Sequence, residues 1–209
     1  WVHAVSVGET RAAQPLIESL LAAYPDHRVL LTGMTPTGRE AATALYPSRV
    51  VQAYLPYDYP GAMARFFVHF QPCLGVLMET EIWPNLLATA QRRGVPMALV
   101  NARLSARSAR GYQRFASLAR PALASLAGVA AQTEADAERL RRVGAQRVTV
   151  VGNLKFDVAP AAALVAQGRA WRTQIGARPI WLAASTRDGE EALILDALAT
   201  LAGRNVLLV

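Results

Sequence analysis

Cysteine is nearly missing from the 209 residues. The lone thiol, Cys73, rules out a disulfide scaffold and a cysteine-rich zinc site. At the head of the apolar run CLGVLM it reads as a buried thiol in a reducing compartment. Long apolar runs are lacking too: nothing approaches the roughly 18 consecutive apolar residues of a membrane span, and no basic-then-apolar tract resembles a signal peptide. The chain therefore reads as soluble. The fingerprints GxGxxG and GxxxxGK[ST] are absent, so neither the dinucleotide nor the P-loop signature applies. None of the histidines His3, His27 and His69 has a partner at metal-binding spacing, and all three read as structural or solvent-facing. Acid is short relative to base, 15 residues against 22, giving a net charge of +7. Such a surface favours anionic partners: nucleic acid, phosphorylated ligands or acidic lipid headgroups.

What the chain does have is apolar material, 53% of its residues, enough for one large domain or one domain and part of another. Short apolar, β-branched runs recur at 1–7, 28–34, 49–55, 73–79, 96–102, 128–133 and 147–152. Between the first two, Ala13, Leu16, Ile17, Leu20, Leu21 and Tyr24 repeat at helical spacing, and similar stripes fill most later gaps. Met63, Phe66, Phe67 and Phe70 form another such stripe, read as core packing, although an interfacial helix would show the same pattern. Strand and helix in alternation imply a parallel sheet covered on both faces, an α/β doubly wound domain over residues 1–155. A second α/β unit begins in 156–209, with a helix at 160–177, a strand at 179–185, another helix and a last strand at 205–209. Both ends read as cut.

In parallel sheets, ligands gather beyond the carboxyl ends of the strands, so the loops there carry the chemistry. After the first run, SVGET offers Gly8 for tight backbone geometry and then Glu9, which also suits the positive end of a helix. After the second, TPTG places Pro36 and Thr37 at a helix entrance, with Gly38 allowing a ligand to approach the backbone. After the fourth, METEIWPN sets Glu79 and Glu81 around Thr80. Two carboxylates there can do acid/base work, orient a sugar or bind a metal; equally, Glu81 can serve as a helix-entry acid and Trp83 as a core anchor. After the fifth, Arg103, Arg107, Arg110 and Arg114 form one cationic face if the segment is helical. Thr133 and Asp136 are spaced as a capping box, and Asp188 and Glu191 as a capping pair. Lys155 stands beside the domain junction, as an anion contact or a hinge residue. Ser185, Thr186 and Arg187, ahead of a helix start, suit a phosphate cradle.

Taken in order, HAVSVGE, TPTG, LPYD, METEIWPN, NARLS, QTEAD, GNLKFD and ASTRDGEE closely resemble the 3-deoxy-D-manno-octulosonic acid (Kdo) transferases of lipopolysaccharide assembly. The resemblance covers nearly the whole chain. It implies a glycosyltransferase B fold, a complete N-terminal acceptor-binding domain followed by the start of a Rossmann-like domain that binds the donor, CMP-Kdo. The acceptor implied is the phosphorylated lipid A precursor, lipid IVA, at the cytoplasmic face of the inner membrane, to which the parent protein would attach peripherally or by a single anchor. Nucleic acid is not implied, and no binding motif for it accompanies the charge.

The resemblance makes Glu9 the catalytic base of an inverting, single-displacement transfer, with Glu79 and Glu81 in the same active centre. It puts Ser6, Gly8, Thr35, Thr37, Gly38, Asn101 and Arg103 toward the acceptor, and Lys155, Ser185, Thr186, Arg187 and Glu190 toward the donor. Arg187 stands where many relatives carry histidine. No cofactor or metal is expected, since helix N-termini and basic groups can stabilise the departing CMP. A helix end beside Glu9 is expected to lower its pKa and keep it ionised. The alternatives are another glycosyltransferase B enzyme using a nucleotide hexose, or a non-catalytic α/β module for anionic lipid.

Overall fold

The computed structural model describes residues 1–158, 160, 162–200 and 207–208. The chain divides into two compact units, Trp1–Val158 and Ala159–Val209.

The first unit is built on seven parallel strands: β1 (Val2–His3), β2 (Leu30–Gly33), β3 (Val51–Tyr54), β4 (Gly75–Met78), β5 (Met97–Ala102), β6 (Gly128–Ala131) and β7 (Val148–Val150). They lie in the order β3-β2-β1-β4-β5-β6-β7. The helices between them are α1 (Val7–Ala12), α2 (Gln14–Ala23), α3 (Pro36–Leu45), α4 (Pro60–Phe70), α5 (Pro84–Arg92), α6 (Ala106–Arg114), α7 (Ala116–Ala124) and α8 (Glu134–Val143). Each expected strand is present, shorter than its apolar run. The first is cut hardest, because Ser6 caps a helix that starts at Val7 rather than prolonging the strand.

Strand alternation explains why both faces are covered. Leu30 and Leu77 join one apolar layer, with Met63, Phe66, Phe67, Leu86 and Leu99, whereas Leu31, Val76 and Met78 join the other, with Ala13, Ile17, Ala42 and Tyr46. The stripe on α4 is core as read, with Met63, Phe66 and Phe67 buried and Phe70 packed against them. Cys73 is a correction. It is exposed, because β4 begins only at Gly75 and the residues before it lead in along the open, amino-terminal edge of the sheet.

After β7 the chain makes a 3₁₀ turn over Leu154–Asp157, still in the first unit. The second unit holds α9 (Ala162–Ile175), β8 (Ile180–Trp181), α10 (Glu190–Ala199) and β9 (Leu207–Leu208), the two strands pairing in parallel. Of the strand expected at 205–209, positions 205, 206 and 209 lie outside the described residues.

Candidate active site

The chain winds outward from β1 to β3, then returns to the centre and winds the other way from β4, so the strand order reverses between β1 and β4. At such a point the loops leaving adjacent strands diverge and open a crevice at the carboxyl ends. Glu9 follows β1; Glu79 and Glu81 follow β4. All three carboxyl groups are half-buried, and the charges of Glu79 and Glu81 both reach Glu9.

Glu9 is fixed locally. Ser6 accepts the N–H of Glu9 at 3.3 Å and donates its hydroxyl to the carboxylate at 3.1 Å, while the N–H of Val5 donates to the other oxygen at 2.9 Å. This is a variant of the capping box in which the carboxylate reaches the N–H one residue before the N-cap, and the spacing Ser6-x-x-Glu9 signals it beside the helix-dipole role. The expected fall in the pKa of Glu9 is overturned: it is raised above the ordinary carboxylate value. Burial is the main cause and the negative charges of Glu79 and Glu81 add to it, outweighing the hydrogen bonds from Val5 and Ser6.

The β4 loop is held from further away. Glu79 adopts a left-handed backbone, φ 55°, while its N–H stays bonded to the Val100 carbonyl at 2.9 Å. A side chain in that region costs about 1 kcal/mol or more, a sign that the loop is shaped for position. Its carboxylate lies 4.0 Å from the Arg103 guanidinium, an exposed and weak pairing. Glu81 accepts the indole N–H of Trp83 at 2.7 Å. The entry of α5 has no capping side chain of its own; Asp58, from LPYD, accepts the N–H groups of Asn85 at 3.0 Å and Leu86 at 2.8 Å. No local pattern marks a role for that motif, and its work is to anchor the start of α5, directly beyond the two glutamates.

Several expected contacts have other duties. Gly8 lies within α1 at ordinary helical φ, so no turn requires it; a Cβ there would meet only the Ser6 hydroxyl at 3.8 Å, and its surface beside Glu9 is open. Gly38 is buried, and an added Cβ would come within 2.8 Å of the Thr35 hydroxyl and 3.3 Å of the Val5 carbonyl. It lets α3 close onto the β1 loop. Thr35 caps α3 through the Gly38 N–H and donates to the Val5 carbonyl at 3.1 Å, tying the two loops together, while Thr37 is exposed on the first turn. Asn101 is fully buried with φ 55°; its Oδ1 accepts the Leu154 N–H at 3.1 Å, so it pins the segment after β7 instead of facing solvent.

Arg103 precedes α6 and is not part of its face. The stripe is therefore Arg107, Arg110 and Arg114, all exposed and none in an ion pair among the described residues. Between α6, α7 and the residues after Glu81 lies an apolar cavity of about 380 Å³, lined by Ile82, Pro84, Tyr112, Phe115 and Leu118. Thr133 accepts the Asp136 N–H as expected; Asp136 also accepts the Leu104 N–H.

Lys155 is exposed on the 3₁₀ turn, which lies against α1. In the second unit, α10 starts after Gly189 without a side-chain cap, so the Asp188 and Glu191 pairing is corrected: Glu190 accepts the Arg187 N–H at 2.9 Å and Thr186 donates to Glu191. Ser185 adopts φ 60° beside them. Among the described residues no cluster of His, Cys, Asp or Glu has metal-binding geometry, and no helix is long and apolar enough to cross a membrane.

Residues 1–158 match the family described as 3-deoxy-D-manno-octulosonic-acid transferase (kdotransferase). A 3-deoxy-D-manno-octulosonic acid transferase of Bordetella pertussis is 50% identical over 207 residues, covering 96% of this chain and 47% of that protein. One from Haemophilus influenzae is 37% identical over 214 residues, covering 100% and 50%. The chain thus spans about half the length of these curated relatives. Among solved structures, the UDP-GlcNAc 2-epimerase of Neisseria meningitidis bound to UDP-GlcNAc superposes with a TM-score of 0.62 at 13% identity, covering 100% of this chain and 70% of that one. That likeness concerns fold alone, and with the seven-stranded parallel sheet it is the likeness of a glycosyltransferase B N-terminal domain. With the family match over the unit that carries the three glutamates, the chain belongs to the 3-deoxy-D-manno-octulosonic-acid transferases.

Proposed function

We propose that the whole protein transfers Kdo from CMP-Kdo to the phosphorylated lipid A precursor, lipid IVA, by inverting single displacement, with Glu9 as general base. The observation that carries this reading is the convergence of Glu9 with Glu79 and Glu81 where the strand order reverses. Glu9 takes the proton of an acceptor hydroxyl as that oxygen bonds to the anomeric carbon, while the anomeric C–O bond to phosphate breaks and its electron pair leaves with CMP. A raised pKa suits the task, since a carboxylate destabilised by burial and by like charges gains more from accepting a proton. Each oxygen of Glu9 already accepts one hydrogen bond, and each keeps lone-pair capacity for a sugar hydroxyl. Glu79 and Glu81 supply negative charge where the transition state becomes oxocarbenium-like, or orient sugar hydroxyls.

The acceptor side is supported by Arg107, Arg110 and Arg114, whose charges, without an ion-pair partner among the described residues, suit lipid phosphates and the anionic cytoplasmic face of the inner membrane. The apolar cavity next to them suits acyl chain. Lys155, Ser185, Thr186, Arg187 and Glu190 are assigned to the donor, and Ser6, Gly8, Thr37 and Arg103 to the acceptor's edge of the crevice. The test is to incubate the full-length enzyme with lipid IVA and either CMP-Kdo or a panel of UDP-hexoses, then weigh the lipid product. Addition of Kdo mass from CMP-Kdo alone is expected; hexose transfer, or binding without turnover, would replace this reading.

A further inference from the structure

The carboxylate of Glu81 differs from that of Glu9 in what fixes it. Its backbone sits in a tight irregular turn, where the Glu81 N–H reaches the Met78 carbonyl at 3.4 Å and the Ile82 N–H reaches the Thr80 carbonyl at 2.9 Å. Neither bond constrains the side chain. That is done by Trp83, two residues on, whose indole N–H donates to Oε2 at 2.7 Å, a charge-assisted contact. An indole can aim its N–H only if its own plane is held, and here a second ring holds it. His3, on the neighbouring strand β1, stands at 81° to the Trp83 ring with centroids 5.8 Å apart.

His3 is itself fixed. Fully buried, it shares a 2.9 Å hydrogen bond between Nδ1 and the Thr32 hydroxyl, which also accepts the Trp1 indole N–H at 2.8 Å. Its Nε2 is buried with no hydrogen-bond partner in the described structure. Leaving a buried ring nitrogen unpaired costs about 1–3 kcal/mol, a cost that core packing alone does not call for. Among the described residues it meets two rings, that of Trp83 edge-on at 5.8 Å and that of Trp1, tilted, at 6.4 Å.

We propose that Trp83 is a positioning residue for transfer: backed by the His3 ring, its indole N–H locks the Glu81 carboxylate in place beside Glu9. The link runs from β2 through Thr32 and His3 on β1 to Trp83 and Glu81 after β4, so the two halves of the reversed sheet are joined beneath the crevice. Glu81 acts on Glu9 through its charge, which makes its placement part of the base's environment. The functional half of this inference rests on the transfer reading above, while the structural half stands apart from it.

Two measurements separate the halves. In the chain itself, labelled with ¹⁵N at its tryptophans, the Trp83 indole signal is identified by its loss in Trp83→Phe. It is expected to lie downfield and exchange slowly, to move upfield in Glu81→Ala, and to broaden or exchange faster in His3→Ala. A signal indifferent to Glu81→Ala overturns the link, whatever the enzyme's activity. In the full-length enzyme, Trp83→Phe keeps a ring but loses the donor, and kcat is expected to fall about tenfold or more with the KM for CMP-Kdo changed less than twofold, the cost of a loosened reacting group. The same substitution added to Glu81→Ala is expected to cost less than twofold more. Unchanged kcat in Trp83→Phe, or an equal loss in both backgrounds, overturns the positioning role. If the unmodified enzyme transfers no Kdo while the indole signal still answers to Glu81, the transfer reading fails and the link survives.

Discussion

The loops after β1 and β4 both deliver glutamates to one crevice, by opposite means. Glu9 is held by its immediate neighbours, Val5 and Ser6. Glu81 is held by an aromatic side chain backed from another strand, and the helix that follows is started by Asp58, 27 residues before the Asn85 whose N–H it accepts. A locally capped carboxylate has its position set by the backbone of its own helix and varies little. A carboxylate held by packed rings moves when the rings move. The first arrangement suits a group that must meet a proton at a fixed point, the second a group whose charge tunes that point.

Removing the base separates the loops most sharply. Glu9→Gln keeps the capping geometry and loses the proton acceptor, so transfer by the full-length enzyme, followed with radiolabelled donor, is expected to fall about 10²–10⁴-fold with an unchanged circular dichroism spectrum. Turnover within tenfold of the unmodified enzyme would remove Glu9 from the role.

Acid acts on the second loop. Burial depresses the pKa of His3 from 6.5 to about 4, with a hydrogen bond to the Thr32 backbone opposing. Between those values the unfolded chain binds a proton that the folded one refuses, so this contribution is fully present above pH 6.5 and lost as pH falls toward 4, about 3 kcal/mol in all. Urea unfolding at several pH values should show the slope in the native chain and a flatter profile in His3→Asn.

The first loop is vulnerable to steric change instead. Gly38→Ala drives a Cβ into the Thr35 hydroxyl and toward the Val5 carbonyl, with an expected loss of about 1–3 kcal/mol in the same unfolding assay. Ser6→Ala removes the helix cap and one partner of Glu9, with an expected loss of about 1 kcal/mol. Neither should disturb the Trp83 indole signal.

The seven strands were legible because parallel strands buried on both faces read as short apolar runs, as in GVLM and MALVNA. The loop positions of Glu9, Glu79 and Glu81 followed from that alternation. Their fine geometry did not. Ser6-x-x-Glu9 carried a local signal for its capping box, but the pairing of Asp58 with α5 and of His3 with Trp83 depends on strand order, which no short-range pattern encodes. The packing around Gly38 was hidden for the same reason: Val5 and Ser6, 32 or more positions away in the chain, come against it once β1 and β2 pair. The direction of the Glu9 pKa likewise rests on burial and on charges from β4, which outweigh the hydrogen bonds visible from the spacing.

The central claim is that Glu9 is the base and that the β4 carboxylates raise its proton affinity. The pH dependence of kcat/KM for the full-length enzyme tests both parts together. The acid limb should fall through the pKa of Glu9, above the ordinary carboxylate value, and in Glu81→Gln the loss of one like charge should carry that limb to lower pH. A limb that stays in place, or moves to higher pH, contradicts the account.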